Sequence, residues 1–182
     1  MERKRENYGF DFYCLLFFIL AFIGWVWEVV LHLITEHAFV NRGIYRGPYL
    51  PIYGAGGLII CLCFGRLKNH PFRVFAGSLM LCSVLEYLTG YLLERKWGIR
   101  WWDYSGHFLN VNGRICLLSA VGFGLSGILL VCVVYPFYKR VMTRIPRKIR
   151  IVLMILCVFV FVADAAKAAV YPNMGQGISY VE

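Results

Sequence analysis

The sequence has 182 residues, of which 60% are hydrophobic and 16% charged, with a mean hydropathy of +0.64 and a net charge of +9. A soluble domain is roughly half apolar and a quarter charged, so this composition excludes an ordinary soluble protein and predicts an integral membrane protein. The positive charge is divided among several loops with no soluble platform to present it, which argues against nucleic-acid binding.

Apolar runs along the chain predict an all-α bundle of about five transmembrane helices in a single integral membrane domain, residues 1–182. The predicted spans are approximately 10–34, 49–65, 72–93, 115–138 and 151–171. The second is the weakest, because Pro51, Gly54, Gly56 and Gly57 crowd its start. Its first turns are therefore a candidate for a broken or re-entrant segment, which is tolerated only where protein or a water-filled cavity covers the backbone.

The distribution of basic residues indicates the orientation of the chain. With a cytoplasmic N-terminus, twelve of the nineteen Lys and Arg residues fall on the cytoplasmic side and six on the other side. This bias predicts that the N-terminus is inside and the C-terminus outside. Two connecting segments rich in polar, aromatic and turn residues, 39–57 and 94–114, then lie on the same extracytoplasmic side.

Two acidic residues lie inside predicted spans, Glu28 in the first and Glu86 in the third, and Glu94 follows Glu86 near the same helix face. Ionisable residues within a membrane usually face the bundle interior or a cavity. One interpretation is a pair of carboxylates that binds a cation, holds arginines or transfers protons. The other is buried pairing with Arg42, Arg46 or Arg114 that serves the fold alone.

The first polar segment brings Asn41, Arg42, Arg46 and Tyr53 together within a few residues. The planar guanidinium of arginine favours carboxylate or phosphate, so the segment is a candidate for recognition of an anionic headgroup. The alternative is an interfacial arginine that extends to the membrane surface or pairs with Glu28.

The second polar segment contains Trp102-Asp103-Tyr104 and, further on, an Asn112-Gly113 turn signal. An interfacial aromatic belt explains tryptophans in such a segment but does not explain Asp103. A pair between Asp103 and Arg114 across the loop is one expectation. The candidate substrate-binding residues are Glu28, Asn41, Arg42, Arg46, Tyr53, Glu86, Glu94, Trp102, Asp103, Tyr104, Asn112 and Arg114.

Several other patterns predict packing and not chemistry. The seven cysteines lie in apolar runs without ligand spacing, so neither a metal nor another cofactor is predicted. The glycines of 122–127 match a dinucleotide fingerprint by letters only and predict close helix packing. Asp164 and Lys167, spaced i, i+3, are expected to pair with each other.

The order of several short motifs resembles the CmpB-type family of ABC-transporter permeases, which are small bacterial membrane proteins with several spans. The motifs are Gly24, Trp25 and Glu28; residues 39–43; residues 47–56; residues 85–87; residues 101–104; and residues 112–117. Ile44-Tyr45-Arg46 departs slightly from the expected pattern. The resemblance implies a multi-pass protein of the bacterial cytoplasmic membrane with a permease role, but it supplies no catalytic residues.

Three functions remain open at this point. The first is a transport permease subunit that works with an ATP-binding subunit or as a homo-oligomer in the lipid bilayer. The second is a membrane-embedded enzyme acting on a lipid-linked anionic substrate at the outer leaflet, with Glu28 or Glu86 as general base and arginines holding a phosphate. The third is an assembly subunit without chemistry.

Overall fold

The computed structural model describes residues 8–35, 37–173 and 179–180, and most of these residues are helical. The helices are α1 (Phe10–Thr35), α2 (Pro51–Phe64), α3 (Pro71–Trp97), α4 (Leu117–Leu129), α5 (Tyr135–Met142) and α6 (Arg147–Val170). A π-helical turn, Leu130–Val134, joins α4 to α5. A two-residue strand β1 (Ile99–Arg100) pairs antiparallel with β2 (Ser179–Tyr180). The predicted all-α fold class is confirmed.

Four helical stretches within the described residues are long and apolar enough to cross a membrane: Phe10–Thr35, Pro71–Trp97, Leu117–Met142 and Arg147–Val170. The protein is therefore membrane-embedded. Three of these helical stretches extend four residues beyond the predicted spans, to Trp97, to Met142 and back to Arg147. Helix α3 continues through its basic last turn to a left-handed Gly98, and α6 begins four residues earlier than the predicted span. A span predicted from hydropathy stops where charged residues begin, whereas the helix itself continues until its backbone is capped.

Helix α2 differs from the others because it has only 14 residues, which span about 21 Å, less than the hydrocarbon thickness of a membrane. The chain approaches it in extended conformation at Leu50, and Pro51 occupies the first turn. The Leu50 N–H donates to the carbonyl of Ala21 (3.0 Å), near the middle of α1. The preceding loop therefore enters the bundle and α2 begins partway along α1.

The loops define two ends of the bundle. The polar end carries the connections 37–50 and 98–116, and the basic end carries the start of α1 and the loops 65–70 and 143–146. The apolar core fills the half nearest the basic end. Its members are Phe12, Leu15, Leu16, Leu20, Ile60, Cys61, Val74, Leu130, Val131, Tyr135, Tyr138 and Met142. This core therefore lies away from the two polar segments.

Small residues bring the helices close together. A Cβ at Gly24 would overlap the Tyr53 side chain of α2, and a Cβ at Gly127 would overlap Ser78 of α3. A Cβ at Gly124 would lie 2.5 Å from the Phe75 ring. The predicted packing role of the glycine-rich run in α4 is therefore confirmed at two of its glycines, since Gly122 meets open space.

The π-helical turn has a local cause. Pro136 has no N–H to donate within the helix and its ring crowds the preceding turn. The wider turn accommodates it, and the Tyr135 N–H donates to the Leu130 carbonyl, five residues back. The stretch 117–142 consequently remains one continuous helix.

At the basic end a buried carboxylate joins the first and last helices. Asp11, 4% exposed in the first turn of α1, lies 3.0 Å from Arg150 Nε and 3.8 Å from Arg147 Nε of α6. The nearby Tyr138 hydroxyl donates to the Phe12 carbonyl (2.6 Å). Helices α1 and α6 therefore begin side by side and run in the same direction.

Candidate functional site

Glu28, near the polar end of α1, has three partners. Its Oε1 accepts a hydrogen bond from the Tyr53 hydroxyl of α2 (2.5 Å). Its Oε2 lies 3.8 Å from Arg42 Nε and 3.9 Å from His32 Nδ1. Glu28 is 20% exposed and Arg42 is 10% exposed, so this ion pair is largely shielded from solvent.

Glu86 of α3 is the second carboxylate at this end and is 8% exposed. Its Oε1 accepts from the Tyr104 hydroxyl (3.1 Å), and the Ser119 hydroxyl of α4 lies 3.2 Å from its Oε2. Both partners are neutral. Glu86 is therefore surrounded differently from Glu28, which has a guanidinium beside it.

The two carboxylates influence the same tyrosine. Tyr104 lies in the loop after β1, and burial raises the pKa of its hydroxyl far above its usual value. The nearby carboxyl groups of Glu86 and Glu28 raise this pKa further. Tyr104 consequently keeps its proton and acts as a hydrogen-bond donor. We call Glu28, Tyr53, Glu86, Tyr104 and Ser119 the carboxylate cluster.

Arg42 also joins the two polar segments directly. Its Nη2 donates to the carbonyl of Trp101 (2.6 Å), a residue that is 3% exposed. Asn41 accepts a hydrogen bond from Trp25 Nε1 (2.7 Å) and donates to the Arg46 carbonyl (3.0 Å). Asn41 thus supports the loop that holds Arg42, and Arg46 is itself exposed.

A second ionic group, which we call the Glu94 network, lies at the polar end of α3. Glu94 Oε2 accepts from Arg114 (2.7 Å) and Oε1 accepts from Arg100 (3.0 Å). Arg100 Nη1 also lies 3.5 Å from Asp103. The prediction that Asp103 pairs with Arg114 is wrong. Arg114 binds Glu94 instead, whose side chain is less exposed to solvent than that of Asp103.

Hydrogen bonds hold the second polar segment in place around the Glu94 network. Trp102 Nε1 donates to the Arg114 carbonyl (2.9 Å) and Asn112 Nδ2 donates to the Tyr87 hydroxyl (3.0 Å). Asn112 and Gly113 both have positive φ, at 53° and 67°, so the predicted Asn-Gly turn is confirmed.

The Ser105 hydroxyl at 2.6 Å and its N–H at 2.9 Å both donate to Asp103 Oδ1. These bonds lower the pKa of Asp103, and Arg100 lowers it further. Asp103 therefore serves the loop and not the carboxylate cluster.

Asp164 of α6 holds the first polar segment from the opposite side. Its Oδ2 accepts from the Gly47 N–H (2.8 Å), the Arg46 N–H (3.1 Å) and the Tyr49 hydroxyl (2.5 Å). The expectation that Asp164 pairs with Lys167 is therefore wrong. Two consecutive backbone N–H groups of this loop form a better site for the carboxylate than a lysine on its own helix.

The structure thus divides the predicted site residues into three groups. Glu28, Arg42, Tyr53, Glu86 and Tyr104 lie in or beside the carboxylate cluster. Glu94, Trp102, Asp103, Asn112 and Arg114 form or surround the Glu94 network, while Asn41 and Arg46 support the loop. Glu86 and Glu94 share a helix but belong to different groups, since eight residues separate them by about 12 Å.

Sequence reasoning missed Ser119, Trp25 and Tyr49. Ser119 caps α4 together with Cys116: its hydroxyl accepts from the Cys116 N–H (3.2 Å), and Cys116 Sγ accepts from the Ser119 N–H (3.4 Å). A serine three residues after a cysteine is not a usual capping signal. Within the described residues, no three His, Cys, Asp or Glu side chains are grouped so as to hold a metal ion.

These features define a membrane protein whose helix bundle has an apolar core toward its basic end and the carboxylate cluster toward its polar end. Residues 15–169 match the model of the family described as "Putative ABC-transporter type IV". Because this match covers most of the chain, the protein belongs to that family, and the resemblance seen in the sequence is confirmed. Comparisons with curated proteins and with solved structures gave no match.

Proposed function

We propose that this protein is a permease-type subunit of a transporter in the bacterial cytoplasmic membrane, and that the carboxylate cluster is its substrate-binding site. The observation that carries the proposal is the convergence of α1, α2, α3, α4 and the second polar segment on Glu28 and Glu86, both largely buried. Charged groups within a membrane are costly and mark pathways for substrates or ions in many transporters.

The geometry of α2 supports a transport role. Transporters commonly bind substrate where a helix is interrupted near the membrane midplane, because free backbone groups and polar side chains become available there. Here the Leu50–Ala21 hydrogen bond sets the start of α2 partway along α1, and Tyr53 in its first turn donates to Glu28. The interruption and the carboxylate cluster therefore coincide.

The orientation is part of the proposal. The basic end carries most of the Lys and Arg residues, so the positive-inside rule places it in the cytoplasm. The N-terminus is then inside and the carboxylate cluster opens toward the extracytoplasmic side. An ATP-binding subunit would contact the basic end, so energy supply and substrate binding would use opposite ends of the bundle.

The alternative of an enzyme acting on a lipid-linked phosphate receives less support. Such an enzyme needs arginines free to hold the phosphate, but Arg42 lies beside Glu28 and Arg114 is bonded to Glu94. Each of these guanidiniums already has a carboxylate partner. A purely structural assembly subunit does not explain why Glu86 is buried among neutral donors.

Thiol labelling tests the orientation. In a cysteine-free background, Gly106→Cys reports the polar end and Asn69→Cys the basic end; Gly106 has open space around it and Asn69 is exposed. We expect a membrane-impermeant maleimide added to intact cells to label Gly106→Cys only. Labelling of Asn69→Cys instead would reverse the orientation and overturn the proposal of an outward-facing site.

Ligand protection tests the site. Candidate solutes are screened for their ability to raise the unfolding temperature of the purified protein, since a ligand that binds the folded state stabilises it. We expect an active solute to protect the wild type but not Glu28→Gln, whereas Arg73→Gln, at an exposed position of the basic end, retains protection. Equal protection of Glu28→Gln would place the solute elsewhere.

A further inference from the structure

Glu86 differs from the other carboxylates in the described part of the chain. Asp11, Glu28, Glu94 and Asp103 each lie within 4 Å of an arginine, and Asp164 accepts two backbone N–H groups. Glu86 has neutral partners, and within the described residues no Lys, Arg or His nitrogen lies within 4 Å of it. A buried carboxylate without a compensating cation is costly.

The hydrogen bonds of Ser119 indicate how this cost is avoided. Its hydroxyl has one proton but lies near two acceptors, the Cys116 carbonyl at 3.0 Å and Glu86 Oε2 at 3.2 Å. It also accepts from the Cys116 N–H at 3.2 Å. A hydroxyl has one donor and two acceptor positions, so it can satisfy all three neighbours only if one of them supplies a second proton.

A proton on Glu86 Oε2 completes this arrangement. The protonated carboxyl donates to the Ser119 hydroxyl, which then donates to the Cys116 carbonyl and accepts from the Cys116 N–H. The Tyr104 hydroxyl donates to Glu86 Oε1, the other oxygen of the same group. Every polar atom around Glu86 is then paired without any charge.

We propose that Glu86 is a reversible proton-binding site, protonated in the arrangement seen here. Loss of the proton leaves a carboxylate, and the Ser119 hydroxyl then turns from the Cys116 carbonyl to Oε2. The released proton passes to water. This inference goes beyond the proposed function and holds whether or not the protein transports a solute.

Polar or titratable groups face Glu86 from the elements packed against it and from α3 itself. They are Glu28 of α1, Tyr53 of α2, Tyr104 of the second polar segment, Ser119 of α4 and Cys82 of α3 itself. The negative charge of Glu28 is compensated by the guanidinium of Arg42. A charge on Glu86 would therefore stand as a second negative charge near Glu28, without a cation of its own.

Infrared spectroscopy of the purified protein in lipid tests the proposal. A protonated carboxyl has a carbonyl stretching band that a carboxylate lacks, and exposed acids lose theirs above about pH 5. We expect a band at neutral pH that disappears at higher pH, is missing in Glu86→Gln and remains in Glu28→Gln. We also expect Ser119→Ala to shift its frequency, because the acceptor of the proton is removed.

Absence of any protonated carboxyl band at neutral pH, or its persistence in Glu86→Gln, would overturn the proposal. Should Glu86→Gln fail to fold, the wild type and Ser119→Ala decide: a band that Ser119→Ala leaves unmoved does not belong to Glu86. This measurement needs no solute, so its failure is separate from failure of the transport proposal.

Discussion

The Asp164 carboxylate accepts a hydrogen bond from the Tyr49 hydroxyl at 2.5 Å, although 115 residues separate them in the chain. Asn173, just after α6, adds to this connection by donating through its side chain to the carbonyls of Asn41 (2.8 Å) and Gly43 (3.2 Å). The end of the last helix therefore holds the loop that carries Arg42. The position of the carboxylate cluster depends on a helix that contributes none of its members.

Replacing Asp164 with Asn should loosen this loop. The neutral amide oxygen can take the place of Oδ2, but it is a weaker acceptor than a carboxylate, and the NH2 group faces the Arg46 N–H, which lies 3.4 Å from Oδ1. We expect a loss of about 1–3 kcal/mol in the free energy of unfolding, measured in mixed micelles of mild and denaturing detergent. Tyr49→Phe, which removes one donor only, should cost about 1 kcal/mol. An unfolding curve of Asp164→Asn that coincides with the wild type would contradict this role.

The ion pair at the basic end leads to a second prediction. Asp11→Asn removes the partner of the largely buried Arg150, so we expect it to cost about 3–5 kcal/mol. Arg147→Gln is the matched control, because Arg147 is 72% exposed and should contribute less than about 1 kcal/mol. The same unfolding assay compares both variants. Equal effects would show that the pair with Arg150 is not the important one.

The third prediction concerns the contact between α3 and α4. Gly127→Ala places a methyl group onto Ser78, and we expect the resulting overpacking to cost about 1–3 kcal/mol. Gly122→Ala, in the same glycine-rich run, meets open space and should be neutral or stabilising by up to about 1 kcal/mol. If both variants behave alike, helix propensity and not packing determines the result.

A fourth prediction concerns pH. Hydrogen bonds from Ser105 lower the pKa of Asp103 in the folded state. A carboxyl with a lowered folded pKa stabilises the protein above its unfolded pKa of about 4, and this stabilisation is lost as the pH falls through the folded pKa. Ser105→Ala should therefore unfold at a lower temperature than the wild type at neutral pH, and the difference should shrink below about pH 4.

Asp103→Asn provides the control for this pH dependence. With no carboxylate at 103, adding Ser105→Ala should produce a difference that does not change with pH. A pH-dependent difference in this background would assign the effect to another titrating group.

The sequence was sufficient to predict the class of fold because transmembrane helices are determined by local composition. Runs of apolar residues predict the four long helices, and Pro51 with the glycines that follow it indicates the weak second span. The ends of α3 and α6 could not be read in the same way. Arg95, Lys96 and Arg147 are poor residues for a membrane interior but are compatible with a helix that extends past it.

The candidate site was only partly predictable from the sequence. Glu28 and Glu86 stand out because charge inside an apolar run is rare. The hydrogen-bond partners of these carboxylates are not recognisable in the sequence. Ser119 lies at the start of an apolar helix, and no neighbouring residue in the chain indicates that it will face Glu86. Arg114 has two carboxylates within reach of its loop, and the choice of Glu94 over Asp103 depends on the folded loop.

The two carboxylates that connect α1 and α6 have a consequence for biogenesis. Asp11 on the first helix receives its guanidinium partners from the last, and Asp164 on the last helix receives N–H groups from the loop that follows the first. Neither connection exists until α6 has been synthesised and inserted. During translation, before α6 is present, Asp11 at the basic end therefore lacks its guanidinium partners. At the polar end, the N–H groups of Arg46 and Gly47 lack the carboxylate that accepts their hydrogen bonds. Insertion of α6 completes both connections, so the two ends of the bundle close together in one step.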